Sequence, residues 1–129
     1  MPTTNPSETH LLGHFINGQI VTPVDTRTVP FYNPATGDIR GNLALANTET
    51  TEEAIAVAKK AFPKWRDMTP LRRSRILFKF KEKLEAEFDE LALLLSREHG
   101  KVFSDAKGEL TRGLEVVEFA CGIPHLQKG

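Results

Sequence analysis

The sequence predicts an α+β chain, with short N-terminal β-hairpins followed by three to four α-helices. Two observations predict it. Before Asn47 the apolar residues fall in short runs, separated by Asn-Gly, Pro and Asn-Pro turn signals. After Asn47 they recur at steps of three and four, the repeat of an amphipathic helix. The length of 129 residues fits one domain at most, and 40% hydrophobic with 26% charged residues is ordinary for a globular protein. The expected division is a flexible tail over 1–10, strands and hairpins over 11–46, and a helical segment over 47–129. Together these make one incomplete domain.

The polar opening, MPTTNPSETH, has two prolines and no periodicity, so it reads as a lead-in. In HFINGQIV the Asn17-Gly18 pair sits between apolar residues. Both residues tolerate positive φ, which marks a tight hairpin. In FYNPATGDI, Asn33-Pro34 starts a turn that Gly37 closes, between strands near Val29–Tyr32 and Ile39–Leu45. Thr48 or Thr51 is the expected cap of the first helix, with Glu52 and Glu53 at the positive end of its dipole. Its expected stripe is Ala54, Ala58, Ala61 and Trp65, and Pro63 should end or kink it.

Thr69-Pro70 restarts a helix, Thr as N-cap and Pro at the first helical position. Leu77, Phe80, Leu84, Phe88, Leu91 and Leu95 form one stripe, with a break expected at Glu87-Phe88-Asp89 and a left-handed stop at Gly100. A last helix starts near Ser104-Asp105 along Ala106, Leu110, Leu114, Val117 and Cys121, and stops before Pro124.

Seventeen basic and seventeen acidic residues balance to zero, which argues against nucleic acid as a partner. No apolar run reaches the span of a membrane helix. The N-terminus has neither a secretory h-region nor the arginine-rich character of a transit peptide, so a cytoplasmic location is expected. One cysteine excludes an internal disulfide.

Five features bear on chemistry. Cys121 lies on an apolar stripe with no activating His or carboxylate one turn before it, so it reads as a small core residue. His10 and His14 are four apart, but Gly13 and the hairpin argue against a shared helix face, and no further metal ligand is near. Arg72, Arg73 and Arg75 read as a solvated helix face paired to neighbouring acids. Gly108 and Gly113, unfavourable inside a helix, suggest a close helix contact or room for a ligand. Between them Arg112 has Glu109 and Glu115 one turn away. Spacing alone favours a surface ion pair over a ligand-binding arginine. No glycine-rich phosphate turn follows a strand.

These segments resemble the aldehyde dehydrogenase superfamily. FINGQIV and FYNPATGDI resemble its opening strands, and AIAVAKKAFPKWRDMTPLRRSRILFKF with LSREHGK the helices that follow. DAKGELTRGLEVVEFACGIPHLQKG resembles its CoA-acylating branch, the methylmalonate-semialdehyde dehydrogenases. The resemblance runs from about His14 to Gly129.

It implies an N-terminal piece of an enzyme with an NAD-binding domain, a catalytic domain and a β oligomerisation arm, assembled as a homotetramer. In such an enzyme a cysteine attacks the aldehyde, hydride passes to NAD, and CoA takes the acyl group as carbon dioxide is lost. The substrates implied are malonate and methylmalonate semialdehydes. An arginine in the motif matching GELTRGLE is associated with holding the substrate carboxylate, which here falls on Arg112. Cys121 does not correspond to the nucleophile. The expectation is that the segment to Gly129 carries neither that cysteine nor the NAD-bearing strands, and is inactive without tight NAD or CoA binding. The alternatives are a small helical interaction module without enzymatic activity, or an unrelated helical domain.

Overall fold

The computed structural model describes residues 10–128. The expected lead-in therefore lies outside the described residues except for His10, which opens a strand. Five strands precede five helices, and the chain divides into two compact units at the Phe62–Pro63 junction.

The first unit holds β1 (His10–Leu12), β2 (His14–Ile16), β3 (Gln19–Val21), β4 (Thr28–Tyr32) and β5 (Ile39–Ala44). Strands β2 and β3 pair antiparallel around Asn17 at φ 52° and Gly18 at φ 78°. Two consecutive positive φ values match the right-handed twist of the flanking strands. Strands β4 and β5 form the second expected hairpin. The Asn33 side chain accepts from the Ala35 N–H (3.0 Å), its carbonyl accepts from the Gly37 N–H (2.8 Å), and Gly37 supplies φ 78°. Strand β1 also pairs with β5, parallel and in the order β1-β5-β4, which no local signal in the sequence marks. Gly41 makes room for it: a Cβ there would lie 2.2 Å from the His10 carbonyl oxygen and 2.7 Å from the Phe31 ring.

Helix α1 (Thr48–Arg66) begins in this unit. Its cap is Asn47, not Thr48 or Thr51. The Asn47 Oδ1 accepts from the N–H and the hydroxyl of Thr50, both at 2.8 Å. Asn47 alone sits at the position whose side chain reaches the N3 donor. Thr50, Ala54 and Val57 are the less exposed side chains, while Ala58, Ala61 and Trp65 of the expected stripe are exposed. Pro63 does not end the helix. Its cost is the missing donor to the Lys59 carbonyl and the crowding of its ring against that carbonyl, both in an exposed stretch of the helix. The last turn closes through the Asp67 N–H to the Pro63 carbonyl at 3.0 Å.

The second unit contains α2 (Pro70–Ala86), α3 (Phe88–His99), α4 (Phe103–Cys121) and the one-turn α5 (Ile123–Leu126). Thr69 caps α2 with Pro70 at N1, Glu87 breaks α2 from α3, and Gly100 takes φ 79° after α3. Each follows the sequence expectation. On α2 the inward row is Ser74, Leu77, Lys81 and Leu84, and Phe80 is 47% exposed instead of sharing it. On α4, Ala106, Leu110, Leu114, Val117 and Cys121 are the covered positions, as expected. Helix α4 packs on α2 and α3. Ala92 and Ala106 are fully buried, so small side chains let α3 and α4 approach closely. Pro124 does not simply stop the chain's helices: it occupies the first turn of α5, where a missing N–H costs nothing.

Ser74 ties α2 to the end of α4. Its hydroxyl donates to the Cys121 carbonyl at 2.5 Å in a buried position, satisfying one of the carbonyls a helix end leaves open. Large apolar side chains remain exposed in this unit, among them Leu94, Val116 and Phe119 at 54%, 68% and 67%. Among the described residues no helix is long and apolar enough to cross a membrane.

Candidate functional site around Arg112

The turn from α3 into α4 positions the charged groups. After the left-handed Gly100 the chain is held by the Ser96 hydroxyl, which donates to the Lys101 carbonyl at 2.5 Å. Lys101 then lies along the start of α4. Its Nζ is 2.8 Å from Glu109 Oε2 and 3.1 Å from Asp105 Oδ2, and its side chain is only 13% exposed. The hydrogen bond from Lys101 is the main cause holding the Glu109 carboxyl below the usual carboxylate range. The charges of Lys101, His99 and Arg112 add to it, against partial desolvation. Reciprocally, Glu109 first and Asp105 second raise the Lys101 ammonium above its ordinary value. Lys107 pairs with Asp89 at 2.7 Å and lies 5.1 Å over the Phe103 ring.

Arg112 stands differently. It is exposed, and among the described residues it forms no ion pair: Glu109 is taken by Lys101, and Glu115 does not reach it. The surface pair that spacing favoured is therefore not what this helix makes. The guanidinium folds back along its own helix, with one Nη 3.7 Å from where a Cβ on Gly108 would lie. A Cβ on Gly108 would meet that group at ordinary contact distance, while Gly113 faces open space. Neither glycine meets a neighbouring helix, which corrects the packing explanation for both. A planar guanidinium with its donors unspent suits a carboxylate, because its fork matches both carboxylate oxygens.

The other candidates are dispersed. Cys121 is 4% exposed at the end of α4. His10 and His14 fall on separate strands of different sheets, and no group of three metal-ligating side chains occurs among the described residues. The His14 Nε2 is buried without a hydrogen-bond partner. Arg72, Arg73 and Arg75 occupy the start of α2, with no described carboxylate in ion-pair range, so the expected acid pairing is not formed. Sequence reasoning missed Lys101. Its signal was the i, i+4 spacing to Asp105 beside the helix-stopping Gly100.

The family model for the aldehyde dehydrogenase family matches residues 21–129. The chain belongs to the aldehyde dehydrogenase family. It is 45% identical over 123 residues to malonate-semialdehyde dehydrogenase 3 of Geobacillus kaustophilus, covering 95% of this chain and 25% of that protein. Among solved structures it is similar to methylmalonate-semialdehyde dehydrogenase from Oceanimonas doudoroffii, at 53% identity and a TM-score of 0.83. That match covers 90% of this chain and 24% of the other. An NAD complex from Sinorhizobium meliloti 1021, assigned as a methylmalonate-semialdehyde dehydrogenase, matches at 49% identity and a TM-score of 0.85, over 94% of this chain and 25% of that one. The chain thus spans about a quarter of the length of these relatives.

An aldehyde dehydrogenase of this kind raises the question of a nucleotide site. The only strand-to-helix turn among the described residues, Leu45-Ala46-Asn47, has no glycine, and Asn47 spends its side chain on Thr50. Gly18, Gly37 and Gly100, the glycines with positive φ, serve hairpins and a helix end. The dinucleotide fingerprint places glycine where a strand meets a helix, and the described residues hold no such turn.

Proposed function

We propose that this chain is the N-terminal part of an NAD-dependent, CoA-acylating (methyl)malonate-semialdehyde dehydrogenase, and that its own contribution is to recognise the substrate carboxylate through Arg112. The observation that carries the proposal is the unspent guanidinium of Arg112 on the GELTRGLE segment, with Glu109, one turn before it, held by Lys101. The names of the similar proteins support the substrate class.

In this proposal the substrate has an aldehyde at one end and a carboxylate at the other. Fixing the carboxylate fixes the distance of the aldehyde carbon from the reacting groups, which lie in the rest of such an enzyme. NAD would accept the hydride and CoA the acyl group, and both are held there too. Isolated from that remainder, the chain is expected to be inactive and to bind neither tightly.

The test is Arg112→Lys in the full-length protein carrying this segment. Lysine keeps the charge but loses the two-pronged donor geometry. The ratio of kcat/KM for malonate semialdehyde to that for propionaldehyde should fall roughly ten- to a hundredfold, the effect of one lost charge-assisted hydrogen bond. Equal losses on both aldehydes would mark Arg112 as structural and defeat the proposal.

A further inference from the structure

Arg112 has an acidic residue at pairing spacing upstream on its own helix: Glu109, three residues before it. Exposed i, i+3 pairs of this kind form readily. An arginine so paired would meet an anionic substrate with its donors occupied and a carboxylate beside it. That pair is absent, and Lys101 supplies the reason. Its Nζ holds Glu109 at 2.8 Å and also meets Asp105 at 3.1 Å, one turn earlier on the same face of α4. Its backbone is pinned by Ser96 at 2.5 Å. Because Lys101 precedes α4, its side chain runs forward along the first turns and reaches Glu109 about two turns in.

Resting on the role proposed for Arg112, we infer that Lys101 is a positioning residue for carboxylate recognition: it holds Glu109 off Arg112 and so keeps the guanidinium available to the substrate. Glu109 does sense Arg112, whose charge helps hold its carboxyl below the usual range, after those of Lys101 and His99. With Lys101 gone, Arg112 and His99 are the cations left to act on Glu109. Glu109 then turns to the arginine and competes with the substrate.

The experiment measures the same kcat/KM ratio, malonate semialdehyde over propionaldehyde, in the full-length protein carrying Lys101→Met, Lys101→Arg, and Lys101→Met combined with Glu109→Gln. Lys101→Met should lower the ratio roughly three- to tenfold, mainly through KM for the semialdehyde, since an exposed pair competes with the substrate without abolishing the site. Lys101→Arg should keep the ratio. Adding Glu109→Gln to Lys101→Met should restore it, because the competitor is then neutral.

A structural role for Lys101 predicts the opposite, with both aldehydes losing efficiency together and Glu109→Gln bringing no recovery. That result overturns the inference. If Arg112→Lys is selective for the semialdehyde while Lys101→Met leaves the ratio unchanged, the inference fails and the proposed function stands. If Arg112→Lys is not selective, both fail.

Discussion

Replacing Ser74 by alanine removes the hydroxyl that donates to the Cys121 carbonyl. The site is closed, with Ser74 5% and Cys121 4% exposed, so water does not readily take the place of the donor. A buried acceptor left without its donor costs about 1–3 kcal/mol, more than the net worth of an average hydrogen bond. Shape changes little, so the cavity contribution is small. The loss is local to the end of α4 and to α5, which packs on α2. Native-state amide exchange on the full-length protein reads this directly, because it reports opening free energies segment by segment. The amides of Phe119 to Gln127 should exchange roughly 5- to 150-fold faster in Ser74→Ala, the fold-change that 1–3 kcal/mol implies. Those of α3 should change far less. Exchange at the end of α4 within twofold of the parent would refute the reasoning, and so would an equal acceleration everywhere.

Gly41→Ala should break the β1–β5 pairing, because its Cβ would stand 2.2 Å from the His10 carbonyl oxygen, a backbone atom with little freedom to yield. The expected cost is about 1–3 kcal/mol, seen as lost amide protection in β1 and β5. The Lys101–Glu109 pair has a pH signature with two edges. Glu109 is depressed, so its contribution is present above the ordinary carboxylate range and lost as pH falls through the folded value. Lys101 is raised, so its contribution is present below the ordinary lysine value and lost as pH rises through the folded one. Protection of the first turns of α4 should therefore be flat around neutrality and fall at both extremes. A maximum at acid pH would contradict this.

The features legible in the sequence were those decided within a few residues. Asn17-Gly18 and Asn33 to Gly37 set their turns by local φ preference and side-chain bonding. Glu87 and Gly100 likewise bound α3 locally. Features set by distant partners were not legible. The parallel pairing of His10–Leu12 with Gly41–Leu43 depends on a segment some thirty residues away. Phe80 lost its place on α2 to Lys81, whose stem reaches inward while its ammonium meets Glu85 at 2.7 Å and Glu118 at 3.6 Å. Asn47 caps α1 in place of Thr48 or Thr51 because the choice among capping residues this close together turns on which one sits at the half-helical position. At the candidate site, spacing put Glu109 on Arg112. The structure gives it to Lys101, a residue outside the helix repeat on which the spacing rule rests.

The most direct test of the proposed function is the product formed from malonate semialdehyde by the full-length protein carrying this segment. With NAD and CoA supplied, each semialdehyde should yield one acetyl-CoA, one carbon dioxide and one NADH, with turnover dependent on CoA. Mass spectrometry of the thioester, alongside NADH absorbance, measures both. Malonate as the product, formed at the same rate without CoA, would contradict it.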